Sequence, residues 1–244
     1  MIRFDQVHKQ FGSHVVLRDV SFTVERGETV VIVGFSGAGK SVCLRHMVRL
    51  EGADSGLVEV DGQAIDLLNR KEMRALRSRF GVLFQGAALL QWMSLFDNVA
   101  LPLRERTSLG EAEIAKRVEE RLEWVGLLDA AERLPAEVSG GMQKRAGLAR
   151  AMVMDPEILL YDEPTSGLDP VTSRSIDELM LRTNRERGAT SVVVTHDLIS
   201  ALAVGSRILM LHEGQVVEYC APEAFVKSEV KVVQDFLAAQ QITG

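Results

Sequence analysis

Gly34-Phe35-Ser36-Gly37-Ala38-Gly39-Lys40-Ser41 fits the spacing GxxxxGK followed by Ser or Thr. It comes directly after Thr29 to Val33, a short β-branched run of the kind that suits a strand buried on both faces of a parallel sheet. The residues after it, Gly39 to Leu50, read as a helix. A glycine-rich bend between a buried strand and a helix start lets successive backbone N–H groups converge on phosphate oxygens, and the helix terminus adds partial positive charge. On this reading Lys40 reaches the β and γ phosphates and the Ser41 hydroxyl ligates magnesium. The same glycines could serve only to join a strand to a helix, so the surrounding pattern has to decide.

Working outward, similar buried runs recur at Ile158 to Tyr161, Ser191 to Thr195 and Ile208 to Leu211. Three of the four runs precede expected helices: Gly39 to Leu50, Pro170 to Arg187 and Asp197 to Val204. That alternation implies an α/β core with a parallel sheet flanked by helices. Upstream, Ile2, Phe4 and Val7, then Val20, Phe22 and Val24, alternate with polar residues around the turn candidates Gly12 and Gly27, which reads as an antiparallel β region. Between about Phe84 and Pro156 helical signals dominate. Ser108 and Glu111 have capping-box spacing, and Ile114, Val118, Leu122 and Val125 form one buried stripe. The expected organisation is a core of residues 1–84 and 157–244 with a helical lobe inserted at 85–156. The tail from Pro222 to Gly244 reads as helical, with Val230, Val233 and Leu237 along one face. It packs either on its own core or against a second subunit.

The composition narrows the function classes. The 244 residues are 46% apolar and 25% charged, an ordinary globular balance. Lys and Arg number 28 against 34 Asp and Glu, for a net charge of -6, which argues against a nucleic-acid binder. No apolar run approaches the roughly 20 residues of a membrane span, and the amino terminus lacks a signal-peptide layout, so a soluble, cytosolic chain is expected. Cys43 and Cys220 match no metal or redox spacing and read as packing residues.

A second anchor supports the phosphate loop. Ile158-Leu159-Leu160-Tyr161-Asp162-Glu163 is a buried strand ending in two carboxylates, placed where open α/β sheets bind ligands. Asp162 suits a magnesium shell, and Glu163 would face an attacking water as general base. An isolated Asp-Glu pair is more often a plain acidic turn. The phosphate loop reverses that preference.

Ser139-Gly140-Gly141-Met142-Gln143-Lys144-Arg145 resembles the signature segment of ATP-binding-cassette ATPases. Gln85 is similar to that family's Q-loop glutamine, Ser166-Gly167-Leu168-Asp169 to its D-loop, His196 to its switch histidine, and Phe11 to the aromatic residue stacked on adenine. The resemblance covers roughly residues 2 to 220. It implies a P-loop NTPase core that binds ATP and Mg2+. Nucleotide contacts carried over by it are Phe11, Gly34, Ser36, Gly37, Ala38, Gly39, Lys40, Ser41, Val42, Ser139, Gly140 and Gly141. Catalytic positions are Glu163, His196, Lys40, Gln85 and Asp169, and metal positions are Ser41, Gln85 and Asp162.

The signature has its own physical logic. Ser139 is a good N-cap, and the glycines after it expose N–H groups at a helix start, which makes a second anion site. The resemblance implies a head-to-tail homodimer in which Ser139 and Gly141 of one chain close over the nucleotide held by Lys40 of the other. The Gly-Gly-Met form, with Leu83 to Leu90 and Phe96 to Glu105, resembles the branch that powers Mla and Mce lipid transporters. That branch implies a MlaE-like integral permease, a MlaD-like MCE-domain protein and, less directly, a MlaB-like STAS-domain protein. It also implies a peripheral place on the cytoplasmic face of a bacterial inner membrane, with membrane contact only through the permease. A small-solute importer and an ATP switch in cell division are the alternatives.

Other features read as ordinary. His8, His14, His46 and His212 are expected in packing or surface roles. Arg70, Lys71, Arg74, Arg77 and Arg79 read as a solvated helix face or, second, as a face toward anionic lipid. Leu89, Leu90, Trp92, Met93, Leu95 and Phe96 divide between core packing and partner contact.

Overall fold

Apolar residues alternating with polar ones need one covered face, and the amino-terminal strands find it in each other. The computed structural model describes residues 1–240. β1 (Ile2–Phe11) turns at Gly12 into β2 (His14–Val24), antiparallel to it. β3 (Thr29–Val33) follows, then the glycine loop and α1 (Lys40–Met47). β4 (Ser55–Val60) and β5 (Gln63–Ala64) complete a four-stranded antiparallel sheet in the order β2-β1-β4-β5. After α2 (Arg70–Arg77) and β6 (Phe80–Leu83) come three helices in succession: α3 (Leu95–Arg106), α4 (Glu111–Trp124) and α5 (Gly140–Met152). The chain then runs through β7 (Ile158–Asp162), α6 (Pro170–Arg187), β8 (Thr190–Val194), α7 (Leu198–Val204), β9 (Arg207–His212), β10 (Gln215–Cys220), α8 (Pro222–Phe225) and α9 (Lys231–Ala239).

The second sheet has the order β10-β9-β3-β8-β7-β6 and is parallel except for β10. Its central strands β3 and β8 are buried throughout because both faces are covered. Val31, Val33, Leu159, Tyr161 and Val193 join one core with α3 to α7 and α9. Their neighbours Val30, Ile32, Leu160, Val192 and Val194 join a second core with α1, α2 and the antiparallel sheet. Period-two alternation divides each strand between the cores, and each such side chain contributes about 1.5–3 kcal/mol by leaving water.

Several sequence expectations need correction. α1 stops at Met47 rather than Leu50, and Arg49 has the left-handed φ of 51°. The Ser108–Glu111 capping box does not form. Gly110 occupies the N-cap of α4 with no side-chain cap, and Glu111 instead pairs with Arg104. The stripe Ile114, Val118, Leu122 and Val125 is buried as expected. β4, β5, β6 and β10 escaped the sequence reading. β6 is the instructive case: Gly81 interrupts a four-residue strand because a Cβ there would run into the carbonyl oxygen of Ala151. Within the tail, Val233 and Leu237 are buried and Val230 is exposed; the expected helix over residues 241–244 lies outside the described residues.

The basic cluster is divided. Asn69 caps α2 in a full capping box with Glu72, while Arg79 belongs to a separate ion-pair group with Asp61 and Glu157. In the apolar stretch Leu89 and Leu95 are core residues, and only Trp92, 76% exposed, stands out. Asn98 is fully buried and ties that stretch together, accepting from Leu90 N–H and donating to the carbonyls of Leu90, Met93 and Ser94.

Candidate active site

Because β3, β6, β7 and β8 are parallel, the loops leaving them open on one edge of the sheet, where ligands of open α/β folds bind. A cleft of about 830 Å³ lies there, lined by Phe11, the loop Gly34–Val42, Gln85, Glu163 and His196. Two glycines are structurally required in the loop. Gly39, the N-cap of α1, has φ +99°, and an added Cβ would approach the Val16 carbonyl oxygen to 2.9 Å. Gly34 has φ +148° and abuts the Leu211 carbonyl oxygen. No L side chain fits at either place without moving backbone.

Lys40 is 8% exposed, and its Nζ donates to the carbonyls of Gly34 at 2.8 Å and Phe35 at 3.1 Å. Burial holds its pKa below the ordinary lysine value, and the nearby Glu163 and Asp162 oppose that shift. A desolvated ammonium at a loop of converging amides is suited to polyphosphate. Ser41 Oγ donates to Asp162 Oδ1 at 2.7 Å, joining α1 to the end of β7. This hydroxyl and carboxylate are hard oxygen donors. The pair fits Mg2+, which takes few protein ligands and completes its shell with phosphate and water.

Glu163 follows at once with φ 51°, a left-handed conformation uncommon outside glycine. Its N–H donates to the Val194 carbonyl at 2.8 Å, and its Oε2 lies 2.7 Å from Nδ1 of His196. His196 itself is fixed between the end of β8 and Asp197, whose carboxylate caps α7 through Ile199 and Ser200 N–H. The loop after β6 carries Gln85 into the cleft, and the turn beyond it has left-handed Ala87 and Ala88 whose carbonyls accept from Arg150.

The remaining expected residues lie elsewhere. Ser139 caps α5, accepting from Met142 N–H at 3.3 Å, and Gly140 beside it is exposed. Neither Ser139, Gly140 nor Gly141 lines the cleft around Lys40. Gly141 faces Thr172, where a Cβ would collide with Cγ2. Asp169 also lies outside the cleft; its carboxylate caps α6 through Val171 and Thr172 N–H at 3.0 Å each. Those bonds and the Thr172 hydroxyl, the largest influence, hold its pKa below the usual carboxylate range.

The family described as ABC transporter matches residues 17–166. The chain belongs to that family. As an ABC transporter ATPase it hydrolyses ATP. The cassette is 42% identical over 241 residues to "Probable ribonucleotide transport ATP-binding protein mkl" of Mycobacterium tuberculosis, covering 99% of this chain and 67% of the relative. It is also 42% identical over 222 residues to "Methionine import ATP-binding protein MetN 1" of Pseudomonas putida, covering 89% of this chain and 66% of that protein. It thus spans about two thirds of the length of these curated relatives. A solved dimer of the ATP-binding cassette MJ0796 bound to ADP and Pi superposes with a TM-score of 0.84 at 34% identity, covering 91% of this chain and 99% of that one.

The cassette's cleft also holds residues that motif spacing missed. His14, expected to be ordinary, lines it because the β1–β2 hairpin folds over the glycine loop. Phe236, Ala239 and Gln240 line it from the tail. Phe35, inside the glycine loop, meets Phe236 edge-on at 5.3 Å and His212 at 6.1 Å. Only the burial of Phe236 was open to periodicity; its contact with Phe35 spans too much sequence for any local signal. Replacing Phe236 with Ala removes a side chain 2% exposed and should cost about 3–5 kcal/mol. Since Phe35 loses its support, ATP affinity should fall several-fold, measured by calorimetry below the lowered melting midpoint. Unchanged affinity in the folded variant would show that the tail does not shape the loop.

Proposed function

We propose that the cassette is the hydrolytic subunit of a transporter that moves phospholipid or another hydrophobic lipid, working as a homodimer with ATP held between the chains. The observation that carries the shared-nucleotide reading is the position of Ser139: an exposed, capped helix start with two following glycines, outside the cleft of its own chain. One triphosphate does not need two anion cradles in one chain. A second copy, placed head to tail, uses both. The MJ0796 cassette, described as dimeric, supports this arrangement.

The chain's own groups account for the chemistry. Gly34 and Ser36 to Val42 cradle the phosphates with backbone N–H groups while Lys40 supplies charge, and Phe11 offers a stacking face for adenine. Ser41 and Asp162, with Gln85 from the facing loop, would hold Mg2+, which supplies neutralisation of charge on the β and γ phosphates. Glu163 accepts a proton from water as the water oxygen bonds to the γ-phosphorus and the bond to the β-phosphate oxygen breaks. His196, at 2.7 Å from Glu163 Oε2, orients that carboxylate. ATP touching both chains favours the closed dimer, and hydrolysis removes the contact that closed it.

The proposed permease supplies the membrane pathway; no helix among the described residues is long and apolar enough to cross a membrane. A groove of about 680 Å³ beside Gln85, with Leu50, Phe84, Leu101, Arg74, Arg106 and Arg150 in its walls, suits docking of a permease helix. We place residues 85–156 as the lobe that moves with it. The lipid assignment rests on the segments Leu83 to Leu90 and Phe96 to Glu105 and on the Gly-Gly-Met signature, and it implies MlaE-like, MlaD-like and MlaB-like partners at the cytoplasmic face of the inner membrane. The identity with the MetN protein favours a second reading, a small-solute importer. Copurification from solubilised membranes tests both. An integral permease with an MCE-domain protein is expected; a permease with a solute-binding protein would replace the lipid reading with import.

A further inference from the structure

Lysine is rarely buried, since its ammonium group is compact and strongly hydrated. Lys144, in the first turns of α5, is nonetheless 6% exposed. Its one hydrogen-bond acceptor among the described residues is the carbonyl oxygen of Glu163, 2.7 Å from Nζ and 19 positions along the chain. Burial holds the pKa of Lys144 below the ordinary lysine value, with Glu163 and Asp162 opposing.

The group it holds is unusual. Glu163 has a left-handed backbone, φ 51°, which a side chain with a Cβ adopts only when its surroundings enforce it. The Glu163 N–H is fixed by the Val194 carbonyl. The carbonyl on the other side of the residue accepts from Lys144 Nζ at 2.7 Å and from Ser166 N–H at 3.2 Å, so both peptides that set the direction of the Cα–Cβ bond are anchored. Ser139 caps the same helix that carries Lys144.

We infer that Lys144 is a positioning residue for hydrolysis, holding the Glu163 carbonyl so that the left-handed backbone presents the carboxylate to the attacking water. This rests on the reading of Glu163 as the base. Lys144 does not line the cleft around Lys40; it acts through Glu163.

The test compares full-length Lys144→Met, Lys144→Gln, Glu163→Gln and the double variant Lys144→Met/Glu163→Gln. Misplacing a reacting group by about 1 Å can cost 10²-fold in rate, so Lys144→Met should lose about 10- to 100-fold in kcat. Its ATP dissociation constant should stay within about twofold by calorimetry, because a positioning defect spares ground-state binding. Dimers should accumulate in ATP and magnesium on size-exclusion chromatography, a gain that general damage would not produce. Lys144→Gln, which keeps a shorter donor, should fall between Met and wild type. The double variant should be no slower than Glu163→Gln alone. Wild-type kcat in either folded Lys144 variant, or an additive loss in the double variant, overturns the inference while leaving the base in place. If neither Lys144 variant folds, Lys144 is a folding residue and the inference is also overturned. Wild-type turnover in Glu163→Gln would instead remove the base reading, and the inference with it.

Discussion

Glu163→Gln is expected to bind ATP as tightly as wild type and to hydrolyse it about 10²- to 10⁴-fold more slowly, the range over which a positioned general base acts. The amide has nearly the shape of the carboxylate and keeps an oxygen and a nitrogen for the partner at His196 Nδ1. Its backbone anchors to Val194 and Lys144 are main-chain carbonyl and N–H bonds that the substitution does not touch. What it lacks is the ability to take a proton at Oε. In the proposed site Lys40 and the glycine loop carry binding, so affinity measured by calorimetry should not change. Dimers that close on ATP can then no longer open by hydrolysis, and they should accumulate in ATP and magnesium on size-exclusion chromatography. Turnover at the wild-type rate would move the base to another group.

That residues 34–41, Asp162, Glu163 and His196 gather at one edge of the sheet was readable because each ends or follows a strand buried on both faces. Such strands announce themselves as unbroken β-branched runs, as Thr29 to Val33 does, and the residues after them must arrive at one edge of a parallel sheet. Contacts made across the fold were not readable in that way. The pairing of Phe35 with Phe236 joins a loop to a helix about two hundred positions away, and nothing local to either aromatic marks it. β6 was lost because Gly81 is needed for the close approach of Ala151, so packing removed the β-branched residue that would have signalled a strand. The Ser108–Glu111 spacing failed for the opposite reason. A better partner for Glu111 stands at Arg104, and Gly110 took the cap.

Further cross-fold contacts gather on α5. At its start Ser139 caps the helix toward the outside, Lys144 reaches the peptide after β7, and Arg150 reaches the carbonyls of the turn after Gln85. The Lys144 and Arg150 attachments give the proposed partner-facing end of the signature a mechanical connection to both the proposed base and the turn after Gln85. Whether its far end meets the same nucleotide or the partner's is therefore decisive for how the cassette works.

Mixing a Lys40→Ala chain with a Ser139→Arg chain answers that. Alone, each variant should be inactive: Lys40→Ala removes the cation at the phosphate loop, and Ser139→Arg places a bulky charge on the exposed helix start where the partner's nucleotide would enter. A symmetric dimer presents each surface twice, so two identical shared sites form at once. In a mixed dimer one site combines the intact loop of the Ser139→Arg chain with the intact signature of the Lys40→Ala chain, and the other site carries both lesions. Random pairing makes half of the dimers mixed, each with one of two sites intact, so an equimolar mixture should regain about a quarter of the wild-type rate if the sites turn over independently. If Ser139 served its own chain's nucleotide, no pairing could restore a complete site. A mixture that stays inactive, although both variants fold and exchange subunits, would rule out the shared nucleotide and leave the exposed position of Ser139 to be explained by contact with something other than ATP.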